Sequence, residues 1–318
     1  MESLLGTLLE NYMANVKSII AAAIVDRNGL IITSKKRERA DQDSDTVIGA
    51  VSAVLEGYIE RLQDEFETES NFFNITSTGD KKFAFCSQGQ SSILATIAEP
   101  NASDTALKVF SEHIAGKIKL IIEGEENVNL NIPPLIRTLS QTRSGSLPEG
   151  EFSAKVILTG DGRVGKTSLV RRFVENKFKD EYVNTLGVDI SKHSVEIGEN
   201  IRISFIIWDI GGQDFSPYRD KFYNGANCAF LVLDRTREQT LEGIHKWHND
   251  IQKAINRNIS MIIVGNKSDL VGQIEVEEED IKELADELGF NYILTSAKTG
   301  ENVKDAFLFL GYEFLENL

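Results

Sequence analysis

The sequence predicts two α/β domains, the second of them built on a mostly parallel sheet covered by helices on both faces. Three observations predict it. The chain has 318 residues, too many for one ordinary domain and enough for two, each with its own core. From about residue 150 onward, short β-rich runs alternate with stretches of helical periodicity, the pattern of parallel strands joined by crossover helices. Between the halves, residues 123–151 contain Pro133-Pro134 and Ser144-Gly145-Ser146-Leu147-Pro148-Glu149-Gly150, a turn-rich composition that suits a surface linker. The expected division is therefore a domain over 1–122, a linker over 123–151 and a domain over 152–318. The apolar residues of 130–139 suffice for the middle of the linker to pack on a neighbour.

Composition removes several classes of function. Hydrophobic residues make up 41% and charged residues 26%, as in soluble globular proteins, and no apolar run is long enough to span a bilayer. Residues 1–20 lack a basic leader and a small-residue cleavage site, and Asn11, Asn15 and Lys17 interrupt their apolar positions; the expected location is the cytoplasm. Cys86 and Cys228 lie in apolar strand-like runs in different halves, which suits two buried thiols better than a disulfide or a metal pair. The net charge is −15, and acids outnumber bases on both sides of residue 150. That balance argues against nucleic acid or an anionic membrane surface as the main partner and leaves proteins.

In the second half, strands are expected over 154–159, 205–209, 229–234, 261–266 and 292–295. Leu241, Ile244, Trp247, Ile251 and Ile255 recur three or four apart, as do Ile281, Leu284 and Leu288, each set marking a helix with one buried stripe. His245 and His248 sit three apart on the first of these helices and, without further ligands nearby, read as surface residues rather than a metal pair. Nucleotides in such sheets bind beyond the carboxyl ends of the strands. The polar motifs fall there.

The first motif is Gly160-Asp161-Gly162-Arg163-Val164-Gly165-Lys166-Thr167, with Ser168 behind it. It fits GxxxxGK[ST] and lies between a strand and a helix, the context that a phosphate loop requires. The glycines let backbone N–H groups curl around phosphates, Lys166 supplies a point charge to the β and γ oxygens, and the Thr167 hydroxyl can ligate Mg²⁺. A chance Gly-rich turn before a helix is the competing explanation.

With four further motifs in order, residues 152–318 resemble the Ras superfamily, Rab-like members above all. The resemblance implies a P-loop GTPase with a mostly parallel six-stranded sheet, GTP/GDP and Mg²⁺ as ligands, and the following roles. Phe178-Lys179-Asp180-Glu181-Tyr182-Val183-Asn184-Thr185 looks like the first switch, with Phe178 against the guanine ring, Tyr182 among the nucleotide contacts and Thr185 joining the Mg²⁺ shell. Trp208-Asp209-Ile210-Gly211-Gly212-Gln213 looks like the second switch: Asp209 holds Mg²⁺ through water, the Gly212 N–H meets the γ-phosphate and Gln213 orients the attacking water. Asn266-Lys267-Ser268-Asp269 matches the NKxD loop, in which the Asp269 carboxylate accepts from guanine N1–H and the N2 amine and so favours GTP over ATP. Thr295-Ser296-Ala297-Lys298 matches the SAK loop, whose Ala297 N–H meets guanine O6. Gln213, Lys166 and Thr185 are thereby the expected catalytic set, and Thr167, Thr185 and Asp209 the metal set.

Two departures qualify the resemblance. Ile210-Gly211 stands where Ras and Rab proteins usually carry Thr-Ala and looks Arf-like, while Arg163 stands where many relatives have Gly. The Arg163 side chain either faces solvent or touches phosphate in place of an arginine finger. No cysteine lies near residue 318 and residue 2 is Glu, so no direct lipid anchor is expected, and any membrane recruitment would run through a protein partner.

The first half reads as a helix over 4–20, strands over 22–25 and 30–34 about the turn Asp26-Arg27-Asn28-Gly29, and a long helix bearing Val47, Ile48, Val51, Val54, Leu55, Tyr58, Leu62 and Phe66. Strands over 71–77, 82–87 and 91–98 and a helix over 104–118 follow. This order resembles the Roadblock domain, a smaller profilin-like α/β fold, over about residues 1–122. The resemblance implies a homodimer formed through the long helix and an edge strand, and regulation of the GTPase half. A generic α/β module is the alternative.

Three functions are compatible with these motifs: a slowly hydrolysing GTP/GDP switch with protein effectors and regulators, a scaffold that binds GTP with little turnover, and a phosphotransferase. The last is disfavoured because both switch motifs are whole and no acceptor-binding module is visible.

Overall fold

The computed structural model describes residues 1–26, 30–37, 72–87, 92–125, 127–141, 148–179, 185, 187–196, 201–211 and 219–318. They divide into two compact units, Met1–Gly145 and Ser146–Leu318. The expected long helix between the second and third strands lies outside the described residues.

In the first unit, helix α1 (Glu2–Asn15) buries Leu5, Leu8, Leu9, Tyr12 and Met13, the three-and-four spacing of a single apolar stripe. It is shorter than the expected 4–20. The chain leaves the helix at Val16, which takes an extended conformation, and Ile19 and Ile20 already belong to strand β1 (Ile19–Asp26). Two β-branched isoleucines beside a run of alanines fit the pleated, buried surface of a strand better than another helical turn. Strands β2 (Ile31–Lys36), β3 (Phe72–Thr78), β4 (Lys81–Ser87) and β5 (Ser92–Ala98) complete an antiparallel sheet of order β2-β1-β5-β4-β3. Ala21, Ala23, Val25, Phe85, Ile93, Ala95 and Ile97 share one apolar face. Toward the other, the Tyr12 hydroxyl meets Thr96 Oγ1 at 3.3 Å and Ser111 Oγ at 2.9 Å, tying α1 both to β5 and to helix α2 (Asp104–Ile122). Burial pushes the Tyr12 phenol up to about 12.

Part of the segment expected as linker packs on this unit. Helix α3 (Pro134–Gln141) buries Leu135 and Ile136 completely, and Ile132 just before it is buried as well. The polar ends of the contact are satisfied: Asn11 Nδ2 donates to Leu130 O at 2.9 Å, Lys117 Nζ to Asn129 O, and Arg137 Nε to Asn15 Oδ1.

The second unit holds a six-stranded sheet of order β11-β10-β9-β6-β8-β7. Strands β6 (Gly150–Thr159), β8 (Ile201–Ile210), β9 (Cys228–Asp234), β10 (Ser260–Asn266) and β11 (Asn291–Leu294) are parallel, and β7 (Val188–Glu196) runs antiparallel to β8 at the edge. Every residue of β9 is buried, as expected of a central strand covered on both faces. Helices α4 (Lys166–Glu175), α5 (Arg219–Tyr223), α6 (Gln239–Ala254), α7 (Glu278–Leu288) and α8 (Val303–Glu316) fill the crossovers and the carboxyl end. Cys86 and Cys228 are both buried, one in each unit. No helix among the described residues is long and apolar enough to cross a membrane.

Trp208 and Trp247 both belong to the second unit, so tryptophan emission reports its unfolding alone. Leu135→Ala is expected to destabilise the first unit by about 2–5 kcal/mol, the cost of emptying a fully buried leucine site. Hydrogen exchange should show lost protection in α2 while the tryptophan-detected unfolding midpoint stays where it was; unchanged protection would mean that the segment 130–137 contributes no core.

Candidate nucleotide-binding site

The carboxyl ends of β6, β8, β9, β10 and β11 bring the phosphate loop, Thr185, Asp209, Asn266, Asp269 and Ala297 to one end of the sheet. The tight turn after β6 depends on two glycines. Gly160 has φ 139° and a Cβ there would lie 2.2 Å from Val232 O; Gly165 has φ 98° and its Cβ would lie 2.2 Å from Asn266 Nδ2. No side chain fits either place. Between them Arg163 takes φ 70°, a left-handed conformation that costs a non-glycine residue about 1–2 kcal/mol. Its side chain is exposed. Lys166 is buried, and its ammonium donates to Gly160 O at 2.6 Å and Asp161 O at 2.8 Å, so it lies folded across the loop it would share with a phosphate. Ser168 follows on the first turn of α4, half-buried.

A second cluster gathers hard oxygen donors. Thr167 Oγ1 lies 2.8 Å from Thr185 Oγ1 and donates to Asp209 Oδ2, to which Thr185 Oγ1 also donates at 3.4 Å. Asp209 Oδ1 is buried and has no hydrogen-bond partner among the described residues. Burial raises the Asp209 carboxyl above the ordinary carboxylate range, against the pull of Thr167 and Lys166. An orphaned carboxylate oxygen beside two hydroxyls is a site short of one positive charge. That donor set fits Mg²⁺, with Thr167, Thr185 and Asp209 as the residues that would hold it.

The loops expected to meet the base form the third cluster. Asn266 Oδ1 accepts from Thr295 Oγ1 and from Ala297 N, both at 3.2 Å, while its Nδ2 donates to Val164 O at 2.9 Å. One buried amide thus joins β10, the loop after β11 and the phosphate loop. Asp269 Oδ1 accepts from Ser296 Oγ at 2.7 Å, which aims the carboxylate. Arg172 of α4 donates through Nε to Ala297 O at 2.9 Å and through Nη2 to Lys298 O. Phe178 is half-buried just beyond α4. Tyr182, Gly212 and Gln213 lie outside the described residues.

Several supporting residues had no motif to announce them. Asp234 ends β9 with a side chain sealed from solvent; it accepts from Lys267 Nζ at 2.6 Å and from Arg237 Nε at 2.9 Å. Burial alone would raise its carboxyl, but the hydrogen bonds from Lys267 and Thr236 and the Lys267 charge outweigh that and hold it below its ordinary value. Trp247 Nε1 donates to Asp161 Oδ1 at 2.8 Å, joining α6 to the phosphate loop. The only signal in the sequence was position: Leu233-Asp234-Arg235-Thr236-Arg237 leaves the strand next to the phosphate-loop strand.

A glycine-cornered loop on a parallel sheet, a metal-competent carboxylate with two threonines, and paired base loops define a guanine-nucleotide-binding protein of the P-loop class. The model of the Ras family matches residues 155–316. The chain is 37% identical over 163 residues to "Ras-related protein RABD2b" and "Ras-related protein RABD2c" of Arabidopsis thaliana, 51% of this chain and 80% of each relative. It is also 37% identical over 163 residues to "GTP-binding protein YPTM2" of Zea mays, 51% of this chain and 79% of that one. The chain belongs to the Ras family; it is a GTPase that binds GTP and GDP with Mg²⁺.

Asn266→Ala removes three hydrogen bonds at once, one each from Val164 O, the Thr295 hydroxyl and Ala297 N. A loss of about 3 kcal/mol, or roughly a hundredfold faster release of a fluorescent GDP, is expected. Release within threefold of the parent chain would mean that the base loops hold their shape without it.

Proposed function

We propose that this protein is a GTP/GDP switch whose hydrolysis is slow unaided and whose amino-terminal unit pairs two chains and regulates the switch. The observation that carries the switch reading is the meeting of Thr167, Thr185 and Asp209: a hydroxyl from the phosphate loop, one from the first switch and the carboxylate that opens the second. A threonine that can enter the metal shell only when its segment closes is the physical basis of a nucleotide-dependent shape. In this reading the backbone of Gly160 to Thr167 cradles the phosphates, Lys166 reaches the β and γ oxygens and Gln213 orients the attacking water. Asn266, Lys267, Asp269, Ser296, Ala297 and Lys298 surround guanine with Phe178 against the ring, Gly212 meets the γ-phosphate, and Ser168 and Tyr182 complete the nucleotide contacts.

The amino-terminal reading rests on topology. The helix-flanked antiparallel order β2-β1-β5-β4-β3 supports the Roadblock-like assignment, and β2 and β3 stand at the two edges of that sheet. An edge strand offers a row of backbone donors and acceptors to a second strand, the basis for pairing two copies. Fusion in one chain would keep a regulator and its switch at about millimolar effective concentration. Effectors and further regulators are proteins in this reading, and recruitment to a membrane runs through one of them, as suits trafficking or signalling.

Single-turnover hydrolysis of GTP tests the switch: the parent chain turns over and Gln213→Leu is slower by about 10- to 100-fold. Equal absence of turnover in both proteins would favour a scaffold that binds GTP without hydrolysing it. Light scattering of the full chain tests the pairing, with twice the chain mass of 35.4 kDa expected; a monomer at every concentration would refute it.

A further inference from the structure

We propose that Arg237 is a positioning residue that holds the peptide between Gly162 and Arg163 in its nucleotide-competent orientation, offsetting strain that Arg163 brings into the phosphate loop. The inference rests on the reading of this loop as the phosphate cradle and adds a residue to it. Arg237 lies just ahead of α6, outside every recognised motif. Its guanidinium has two fixed arms: Nε donates to Asp234 Oδ2 at 2.9 Å and Nη2 donates to Gly162 O at 2.9 Å. Asp234 is sealed from solvent and also bound by Lys267, so the first arm anchors the second.

The second arm acts on one peptide plane. In a trans peptide the carbonyl and the following N–H point in opposite directions, and the described residues contain no cis peptide bond. With Gly162 O turned toward Arg237, the N–H of Arg163 is turned away from it, which in this reading is toward the phosphate. Lys166 holds the two preceding carbonyls, Gly160 O and Asp161 O, with an ammonium that in this reading also serves the phosphate. Arg237 has no such second task.

The plane it holds is prone to turning over. A flip of that peptide changes only ψ of Gly162 and φ of Arg163. Glycine accepts either value, and Arg163 would leave φ 70° for the ordinary negative region. The left-handed strain at Arg163 therefore drives the flip that would withdraw its N–H from the cradle, and the hydrogen bond from Arg237 opposes it. A glycine in place of Arg163 would feel no such drive. The two arginines are thus coupled, although one acts through its backbone and the other through its side chain.

The coupling gives a test that a general structural role for Arg237 does not mimic. Release of a fluorescent GDP from the full chain with Mg²⁺ is measured for Arg237→Ala in two backgrounds, the parent chain and Arg163→Gly. Acceleration by about tenfold in the parent background and less than about twofold in the Arg163→Gly background is expected, a coupling of about 1 kcal/mol or more. Equal acceleration in both backgrounds, or none in the parent background, overturns the proposal. Arg237→Lys keeps a cation beside Asp234 without the forked second arm. It preserves the fold should alanine leave Asp234 unbalanced, and it should release GDP nearly as fast as alanine does in the parent background; full restoration by lysine would assign Arg237 to charge balance instead. The parent chain serves as the control for the underlying reading: if it retains no GDP, the cradle itself is refuted, an outcome separate from the comparison of backgrounds.

Discussion

The side-chain amide of Asn266 is the contact on which the geometry of the nucleotide end depends. A phosphate loop and a base-recognition loop are far apart in sequence, and each is irregular backbone that a sheet cannot position by hydrogen-bond ladders. Asn266 solves this with one group that has both a donor and an acceptor side: Nδ2 takes Val164 O, and Oδ1 takes Ala297 N and Thr295 Oγ1. Aspartate has the shape but no donor, and glutamine carries an extra methylene that would move the amide out of register. The close pass of Gly165 beneath Nδ2, where a Cβ would lie 2.2 Å away, belongs to the same arrangement. The glycine is needed because the asparagine sits there.

Around this staple the polar groups divide by task. Asp234 is saturated by Lys267 and Arg237 and so acts as a rigid hub, its charge already balanced. Asp209 is the reverse, buried with one oxygen satisfied by hydroxyls and the other by nothing among the described residues. A buried carboxylate left in that state favours whichever process brings it a cation. Register reinforces the imbalance, since Asp189 on β7 lies directly across from Asp209 and adds a like charge. The site is therefore built with one carboxylate finished and one waiting, and the waiting one meets the hydroxyls of Thr167 and Thr185.

The sequence disclosed different parts of this to different depths. The phosphate-loop motif stood out because its chemistry demands particular residues at fixed spacing, and Asn266, Asp269, Ser296 and Ala297 because they fall at short fixed offsets; the structure brings these four into mutual contact. Strand β7 was not read, since Val188–Glu196 mixes exposed Ser, Lys and Glu into an edge strand with one covered face. The end of α1 was misplaced because Ile19 and Ile20 continue an apolar rhythm that the chain turns into a strand. The packing of Leu135 and Ile136 was left open, for a short apolar segment has no periodicity long enough to assign its face. Arg237, Arg172 and Trp247 escaped because they bind backbone carbonyls or a side chain across long sequence separations, which leaves no local pattern.

Charge adds a last constraint on how this site works. The chain carries −15 overall, and its ligand is a polyanion, so the long-range field opposes rather than guides association. At physiological salt that field fades over about 8 Å, which leaves the approach to the loop's own surroundings. There the balance is closer to even: Lys166, Lys267, Arg237 and Arg172 converge on the phosphate and base loops and offset Asp161, Asp209, Asp234 and Asp269. Retention must then come from short-range, oriented groups, which under the proposed roles are the backbone donors of the cradle, the ammonium of Lys166 and a metal on Asp209. A site of this kind gains more from holding its loops in register than from attracting its ligand, and that is where its unmotivated arginines are placed.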